Sequence, residues 1–251
     1  NNYDSRFSLY DINVSSNTFL GTIIAFNRPK SVLQSNYNSY KSLVKEDEFS
    51  NQIALIIGGS RGIGEITAKI LAIGGADVTI TYNKGHDDSD KIVRDINSNG
   101  GQCKKIKYDV LNDTLNEVNF KKNYTHIYYY ATPFIFSGNK DSFSEKLFTT
   151  FSKFYISEFY ELVNYFYKRK TLNFFYPSTV ALDDMFGNMM EYTLSKSSGE
   201  KLIDFLQLKL PALYIYKPRL PRLETDQTVS LFPVINEDPD LIILNHLKKF
   251  N

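Results

Sequence analysis

Apolar and polar positions follow one another along the chain in a rhythm of short strands separated by helices. Short apolar runs rich in β-branched and aromatic residues predict strands, and apolar residues three to four positions apart predict helices. The predicted strands are Ile53–Ile57, Asp77–Tyr82, Cys103–Val110, His126–Ala131, Leu172–Pro177 and Ala212–Lys217. The predicted helices are Glu65–Ala72, Asp88–Asn97, Lys146–Lys168, Tyr192–Leu208 and Pro239–Phe250. Strands separated by helices indicate an α/β domain whose parallel sheet is covered on both faces.

The N-terminal part of the chain does not follow this rhythm. It is rich in Ser and Asn and contains one β-like run, Phe19–Phe26. We therefore expect residues 1–49 to form an irregular extension or linker, or the remnant of a preceding domain. Residues 50–251 are expected to form the main, nucleotide-binding domain.

A glycine-rich turn follows the first predicted strand, in the segment IALIIGGSRGIG, and leads into the first predicted helix. Glycines at such a turn let the backbone approach a pyrophosphate, whose charge the helix N-terminus favours. The pattern therefore predicts a doubly wound sheet of Rossmann type that binds a dinucleotide, and a structural turn without a ligand is the simpler alternative. The turn residues expected at the cofactor are Gly58, Ser60, Arg61, Gly62, Ile63 and Gly64.

The end of the second predicted strand bears on the choice of cofactor. NAD sites commonly place an acidic residue there to hold the ribose hydroxyls. This chain has Asn83 and Lys84 instead, and Arg61 lies within the glycine turn. A cation without a carboxylate suits a 2′-phosphate, so we expect NADP(H) as the cofactor, with Asn83 among its contacts. The alternative is that Arg61 and Lys84 are solvated surface charges.

A second candidate motif is Tyr192-Thr193-Leu194-Ser195-Lys196 on a predicted helix. Residues four positions apart share a helix face, so the Tyr192 phenol and the Lys196 ammonium are expected side by side. A neighbouring ammonium lowers the pKa of a phenol, and such a tyrosine can protonate a carbonyl oxygen as hydride reaches the carbon. In a chain with 18 tyrosines the spacing arises easily by chance, and its value lies in its position downstream of the glycine turn.

Several segments together carry a family resemblance. The turn GGSRGIG, the strand end Tyr108-Asp109-Val110, the Tyr192 and Lys196 pair and the segment Glu224-Thr225-Asp226 resemble short-chain dehydrogenases/reductases. Among these, the chain is most similar to 3-ketoacyl reductases of fatty-acid and polyketide biosynthesis. The resemblance implies the following contacts: adenine with Asp109 and Val110, the adenosine with Ala131, the nicotinamide amide with Thr225 and the nicotinamide ribose with Lys196.

The family also uses a hydroxyl that orients the substrate carbonyl, and two neighbours compete for that role. Thr179 matches the register of the family's serine, whereas Ser178 has the usual residue type. Neighbours in a strand face opposite sides, so we expect only one of them to point into the site. We favour Thr179 and keep Ser178 as the alternative.

The chain departs from the family pattern at several positions. The family's Asn-Asn-Ala-Gly reads Tyr129-Tyr130-Ala131-Thr132, and its helical asparagine, which belongs to a proton relay, has no match near Phe151. The usual seventh strand is missing. The Pro-Gly of the sixth-strand loop is replaced by Pro-Arg, so Arg219 and Arg222 either grip an anionic substrate or are loop cations in water.

The resemblance implies a cytoplasmic NADPH-dependent reductase that converts a 3-oxoacyl thioester to the 3-hydroxyacyl thioester. Its partners would be a carrier-protein-linked or coenzyme-A-linked acyl group, and a second copy bound through the aromatic helix Lys146–Lys168, although packing of that helix on the sheet is the simpler interpretation. The segment around Phe26-Asn27-Arg28-Pro29 resembles linkers that join a MaoC-like hotdog dehydratase to a reductase. The alternatives are an oxidoreductase of another small carbonyl or sugar, and a catalytically silent nucleotide-binding scaffold.

Bulk properties exclude other classes of function. The net charge of +1 gives no field that would attract nucleic acid, and no apolar run is long enough to span a bilayer. The three histidines show no metal-binding spacing, so we expect no metal, and the single Cys103 cannot form an internal disulfide.

Overall fold

The computed structural model describes residues 2–4, 9–26, 32, 34–184, 187–228 and 234–251. The strands, numbered in chain order, are β1 Asn2–Asp4, β2 Leu9–Ser15, β3 Leu20–Phe26, β4 Ile53–Ile57, β5 Asp77–Tyr82, β6 Gln102–Lys107, β7 His126–Tyr129, β8 Asn173–Phe175, β9 Ser178–Thr179, β10 Tyr214–Tyr216 and β11 Arg219–Leu220. The helices are α1 Gly62–Ile73, α2 His86–Ser98, α3 Glu145–Ser152, α4 Glu158–Tyr167, α5 Ala181–Asp184, α6 Met190–Lys209 and α7 Pro239–Phe250. Among the described helices, none is both long and apolar enough to cross a bilayer.

The central sheet has six parallel strands in the order β10-β8-β7-β4-β5-β6. From β4 the chain proceeds outward to β5 and β6, then returns to β7 on the other side of β4. The order of strands therefore reverses between β4 and β7, and ligands of open α/β sheets bind at the carboxyl ends of the strands beside such a point. The predicted doubly wound fold of Rossmann type is confirmed.

Strand β10 forms one edge of this sheet, where the family's seventh strand would pair. The described residues contain no further strand there, as the sequence predicts. The outward-facing N–H of Ile215 donates instead to the Gln207 side-chain oxygen at 2.8 Å. A side chain thus satisfies an edge group that would otherwise be open to pairing.

Each face of the sheet has its own apolar core. Helices α1, α2 and α7 cover one face, and α3, α4 and α6 cover the other. The predicted aromatic helix is divided in two by a π-helical turn at Lys153–Ser157. Its side chains Phe151, Tyr155, Phe159 and Leu162 are fully buried against the second face. Packing on the sheet therefore explains the aromatic pattern, and assembly through this helix stays a prediction.

The N-terminal part contributes two different features. Strands β1, β2 and β3 form a small antiparallel sheet of their own. Residues 34–50 then cross the helices of the first face, where Tyr37 and Tyr40 are buried and the Tyr40 hydroxyl donates to Asp240 at 2.7 Å. The Phe26-Asn27-Arg28-Pro29 segment lies largely outside the described residues, and the division of the chain at residue 49 stays a prediction.

Candidate active site

A cavity of about 850 Å³ opens at the carboxyl ends of β4, β5, β7 and β8. Every residue that the sequence predicts for the cofactor or for catalysis lines this cavity. The resemblance alone had implied that residues as distant in sequence as Gly58 and Thr225 share one site, and the fold brings them together.

The glycine turn between β4 and α1 has the geometry of a phosphate cradle. Gly58 and Gly62 have φ values of +83° and +55°, which side chains disfavour. A Cβ at Gly64 would overlap the carbonyl oxygen of Gly58, so helix and turn pack at backbone contact. Arg61 precedes α1 without a side-chain cap, which leaves the first helical N–H groups free to bind an anion. These features fit the pyrophosphate of a dinucleotide.

Polar groups surround the neighbouring end of the cavity. Burial opposes ionisation of Asp109, but hydrogen bonds from the Asn112 side chain at 2.9 Å, the Leu111 N–H at 3.0 Å and the Asn83 side chain hold its pKa below the usual value. These bonds also turn the chain, so that β6 ends at Lys107 rather than at Val110 as predicted. Arg61 is about half exposed and forms ion pairs with Asp88 at 3.0 Å and Asp226 at 3.7 Å.

Tyr192 and Lys196 lie one turn apart on α6, and both side chains are buried. Burial raises the pKa of the Tyr192 phenol to about 12, against the effect of a hydrogen bond with Thr179. This direction is opposite to the lowering that the sequence argument expected, because the loss of water on burial is the largest effect on this phenol. Burial also lowers the pKa of Lys196 to about 7, and the charge of Glu200 partly opposes this shift. Its ammonium donates to the Pro177 carbonyl at 2.6 Å.

The two competing hydroxyls have different surroundings. Ser178 is buried and donates to the Glu200 carboxylate, which also accepts two hydrogen bonds from the Arg219 guanidinium at 2.8 and 3.0 Å. Thr179 is less buried, and its hydroxyl accepts from the Ala181 N–H at 3.1 Å. Thr179 also lines the cavity with Tyr192 and lowers the pKa of the Tyr192 phenol, whereas the Ser178 hydroxyl is bonded to a carboxylate.

The two loop arginines also differ. Arg219 is paired with Glu200 and, at 2.6 Å, with Asp183. Arg222 lies over the Phe136 ring, 4.8 Å from its centroid, and donates to the Thr228 carbonyl at 2.6 Å. Both arginines therefore have protein partners, and Arg222 lines the cavity.

The sequence argument missed three residues of this site: Glu200, Tyr155 and Tyr176. Glu200 lies one helical turn after Lys196, so helical spacing could have indicated it. The two tyrosines approach the Lys196 ammonium with their ring faces, at 4.1 and 4.4 Å from the ring centroids. They belong to different elements, so spacing along the sequence gives no signal for them.

Comparison with known proteins agrees with this geometry. Residues 52–122 match the sequence model of the short chain dehydrogenase family. General stress protein 39 of Bacillus subtilis is 26% identical over 176 residues, which are 64% of this chain and 58% of that protein. The 3-oxoacyl-[acyl-carrier-protein] reductase of Synechocystis is 39% identical over 61 residues, 24% of this chain and 25% of that protein. The chain thus matches less than two thirds of either relative.

Solved structures extend the likeness at the level of the fold. A short chain dehydrogenase of Escherichia coli, determined with NADPH, superposes with a TM-score of 0.71 at 18% identity. The match covers 82% of this chain and 94% of the Escherichia coli chain. Residues 52–122 thus resemble the short chain dehydrogenase family in sequence, and most of the chain shares its fold with the Escherichia coli structure.

Proposed function

We propose that this chain is an oxidoreductase that uses NADPH to reduce a 3-oxoacyl thioester to the 3-hydroxyacyl thioester. The observation that carries the proposal is the position of Tyr192, Lys196 and Thr179 in the same cavity as the glycine turn. A proton donor, a cation and a hydroxyl thus adjoin the cradle for the cofactor, which supplies hydride when bound.

Tyr192 acts as the general acid. Because burial raises its pKa to about 12, the phenol holds its proton at neutral pH. It transfers that proton to the substrate carbonyl oxygen as hydride reaches the carbonyl carbon, which gives the alcohol and leaves a phenolate. The Lys196 ammonium, one helical turn away, stabilises the phenolate.

Thr179 orients the carbonyl. Its hydroxyl is coupled to Tyr192, so a carbonyl oxygen that binds between the two receives hydrogen bonds from both. Ser178 has a structural role, because its proton is committed to Glu200.

We assign the 2′-phosphate of NADPH to Arg61 and Asn83, which line the cavity at the ends of β4 and β5. The other assigned contacts are Gly58, Ser60, Gly62, Ile63, Gly64, Asp109, Val110, Ala131 and Thr225. The cofactor of the Escherichia coli structure supports NADPH. We expect Arg61→Gln to weaken NADPH binding more than NADH binding.

The lining of the cavity at its substrate end favours an acyl group as part of the substrate. Ile135, Phe136, Met189 and Ile235 give it an apolar lining, with Arg222 as the neighbouring cation. The name of the Synechocystis relative favours a thioester on a carrier protein. Coenzyme A is the other carrier with the same pantetheine arm.

The test measures NADPH oxidation with acetoacetyl-coenzyme A, with an acetoacetyl carrier protein, and with simple ketones and sugars. We expect turnover with a thioester, and a loss of about 10²–10⁴-fold in Tyr192→Phe at unchanged NADPH affinity. Turnover of ketones or sugars alone would replace the thioester by another carbonyl substrate. NADPH binding without turnover of any carbonyl would contradict the reductase and favour a silent scaffold.

A further inference from the structure

The Lys196 ammonium occupies a site built from one carbonyl and two aromatic faces. Its Nζ atom donates to the Pro177 carbonyl at 2.6 Å and lies 4.1 Å from the ring centroid of Tyr155 and 4.4 Å from that of Tyr176. The side chain is only 5% exposed. Among the described residues, no carboxylate lies within ion-pair distance of this ammonium. Besides the Pro177 carbonyl oxygen and the more distant charge of Glu200, the two ring faces are the negative surfaces that meet this buried cation.

Ring faces attract a cation because their π electrons make them negative, and the attraction grows when water is excluded. Both distances lie well within the range of about 6 Å over which this interaction operates. Burial of an ammonium otherwise favours its neutral form. The two rings thus counteract part of the cost of keeping Lys196 charged inside the protein.

Both rings are fully buried in aromatic packing, and their hydroxyls are hydrogen-bonded as well. The Tyr155 hydroxyl is hydrogen-bonded to Thr132, and the Tyr176 hydroxyl donates to the Tyr155 carbonyl at 3.2 Å. A Cβ at Gly199 would overlap the Tyr176 hydroxyl and would lie 3.0 Å from the Tyr155 carbonyl oxygen. Glycine at this position of α6 therefore lets the two tyrosines meet beneath the helix.

The same rings reach the general acid. Tyr155 meets Tyr192 edge to face, with centroids 5.7 Å apart, and Phe151 stacks on Tyr155 at 5.9 Å and itself meets Tyr192 edge to face at 5.7 Å. Phe151 marks the region where the family resemblance would place a polar relay residue. In this chain the space beside Lys196 and Tyr192 is aromatic.

We propose that Tyr155 and Tyr176 are positioning residues whose ring faces hold the charged Lys196 side chain beside Tyr192, in place of the family's polar relay. Their role in catalysis rests on the proposed reductase function. Their hold on the Lys196 charge does not, and it is measurable without any substrate.

The substrate-free test compares the free energy of unfolding of the wild type and Lys196→Met between about pH 5 and pH 11. Because the folded protein releases the Lys196 proton at lower pH than the unfolded chain, the wild type gains stability relative to Lys196→Met as the pH rises through this window. The pH at which the gain begins reports the pKa of Lys196 in the folded protein. Subtracting the two curves removes effects common to both proteins.

The same pair of curves is then measured in the Tyr155→Leu and Tyr155→Phe backgrounds. We expect Tyr155→Leu to lower the apparent pKa of Lys196 by about one unit, because an apolar side chain without π electrons replaces a ring face. Tyr155→Phe keeps the ring and is expected to leave the apparent pKa within about 0.3 units. Tyr176→Leu and Tyr176→Phe form the second matched pair.

A series of increasingly fluorinated phenylalanines at position 155 covers the case in which Tyr155→Leu does not fold. Fluorination weakens the negative ring face with little change in size, so the apparent pKa of Lys196 should fall stepwise with fluorine content. An apparent pKa that stays constant along the series, or equal shifts in the Phe and Leu variants, would overturn the proposal.

Steady-state kinetics test whether the two rings also matter for catalysis. We expect Tyr155→Leu to lower kcat at least tenfold, to leave the KM for NADPH within about twofold, and to move the alkaline limb of the pH–rate profile to lower pH. Tyr155→Phe should retain most of kcat. If no carbonyl is reduced while the titration shows the expected shifts, the proposed reductase function is wrong, but the proposed interaction of the two rings with the charged Lys196 is supported.

Discussion

At the scale of single residues, the neighbours Ser178 and Thr179 show how a strand separates two chemically similar groups. Both lie on the two-residue strand β9, and their side chains leave it on opposite sides. Ser178 meets the partly buried Glu200 carboxylate, whereas Thr179 interacts with the Tyr192 phenol. The register of the strand, rather than the residue type, therefore decides which hydroxyl faces Tyr192.

Replacing these two hydroxyls one at a time should separate their roles. We expect Thr179→Val to lower kcat about 10²-fold, because a hydrogen-bond donor to the reacting oxygen is lost. Ser178→Ala should keep kcat within about threefold and cost about 1 kcal/mol of stability, because Glu200 loses a donor. Steady-state kinetics and urea unfolding of both variants provide the test. The reverse pattern would transfer the orienting role to Ser178.

The charge of Lys196 should control the pH dependence of reduction. Burial lowers its pKa to about 7, whereas burial raises the pKa of Tyr155, Tyr176 and Tyr192, which therefore stay neutral in this range. Burial works against ionisation of Glu200, but Arg219 and Ser178 hold its pKa below the usual value, so it stays charged. Of the groups facing one another here, Lys196 alone changes charge near neutrality.

We therefore expect kcat/KM for the carbonyl substrate to be highest below about pH 7 and to fall as the pH rises past the Lys196 pKa. The measurement is a pH–rate profile of the wild type and Lys196→Arg. Arginine stays protonated throughout, so this variant should be slower but lack the alkaline limb. An unchanged limb in Lys196→Arg would assign it to another group.

At the scale of elements, helix α6 brings three parts of the site together because the glycine at position 199 leaves room on its inner face. It carries Tyr192 and Lys196, and at Gly199 it lets the Tyr176 hydroxyl approach. In a helix interior a glycine is usually less stable than an alanine by up to about 1 kcal/mol. Close approach of the tyrosine pair accounts for its presence in α6.

Gly199→Ala should accordingly destabilise the protein, against the usual helical preference. The added Cβ would push the Tyr176 ring away from Lys196, and we expect a loss of about 1–3 kcal/mol and a lower apparent pKa of Lys196. Ser197→Ala, at an exposed position of the same helix, is the control and should change stability by less than about 0.5 kcal/mol. Thermal and urea unfolding measure both variants. A Gly199→Ala variant more stable than the wild type would show that the space between α6 and the Tyr176 hydroxyl can accommodate a methyl group.

The same elements show what the sequence could predict. Long periodic segments such as β4, α1 and α6 follow from hydrophobic spacing, because burial on the sheet imposes that spacing. The glycine turn and the pair formed by Tyr192 and Lys196 could also be predicted from the sequence, because each depends on local geometry. The aromatic surroundings of Lys196 could not be predicted, since they depend on which of the 18 tyrosines the tertiary fold brings next to this side chain. The raised pKa of Tyr192 was missed for the same reason, because the extent of burial is a property of the packed molecule.

At the scale of the whole molecule, the N-terminal residues 34–50 are packed against the domain that follows them. Tyr37, Tyr40 and Phe49 join the core on the face of α1 and α7. The buried Lys69 of α1 donates to the Ser35 carbonyl at 2.9 Å and pairs with Glu65 at 2.6 Å. The hydroxyls of Ser35 and Tyr40 both donate to Asp240, at 2.7 Å each. This segment therefore joins the first and last helices of the domain.

Val32, which precedes this segment in the chain, bonds to a residue of the cavity. The Val32 N–H donates to the Asp226 carboxylate at 2.7 Å, and Asp226 follows Thr225, which lines the cavity. The contacts of residues 34–50 with α1 and α7, by contrast, involve residues that do not line the cavity. Loss of these contacts should therefore affect the folding of the domain, while nucleotide binding stays intact in the molecules that are folded.

Tyr40→Phe tests this separation with a single atom. The variant removes the hydroxyl that donates to Asp240 and leaves the Oδ1 atom of that carboxylate without this donor. We therefore expect the free energy of unfolding to fall by about 1–2 kcal/mol. The dissociation constant for NADPH, measured by fluorescence titration well below the unfolding transition, should change by less than about twofold. Tyr37→Phe is the matched control, because the Tyr37 ring is also buried while its hydroxyl makes no hydrogen bond among the described residues, and its stability should change by less than about 0.5 kcal/mol. Equal losses in the two variants would mean that ring packing, rather than the bond to Asp240, holds the segment on the domain. A large loss of NADPH affinity in folded Tyr40→Phe would mean that the segment shapes the cofactor site itself.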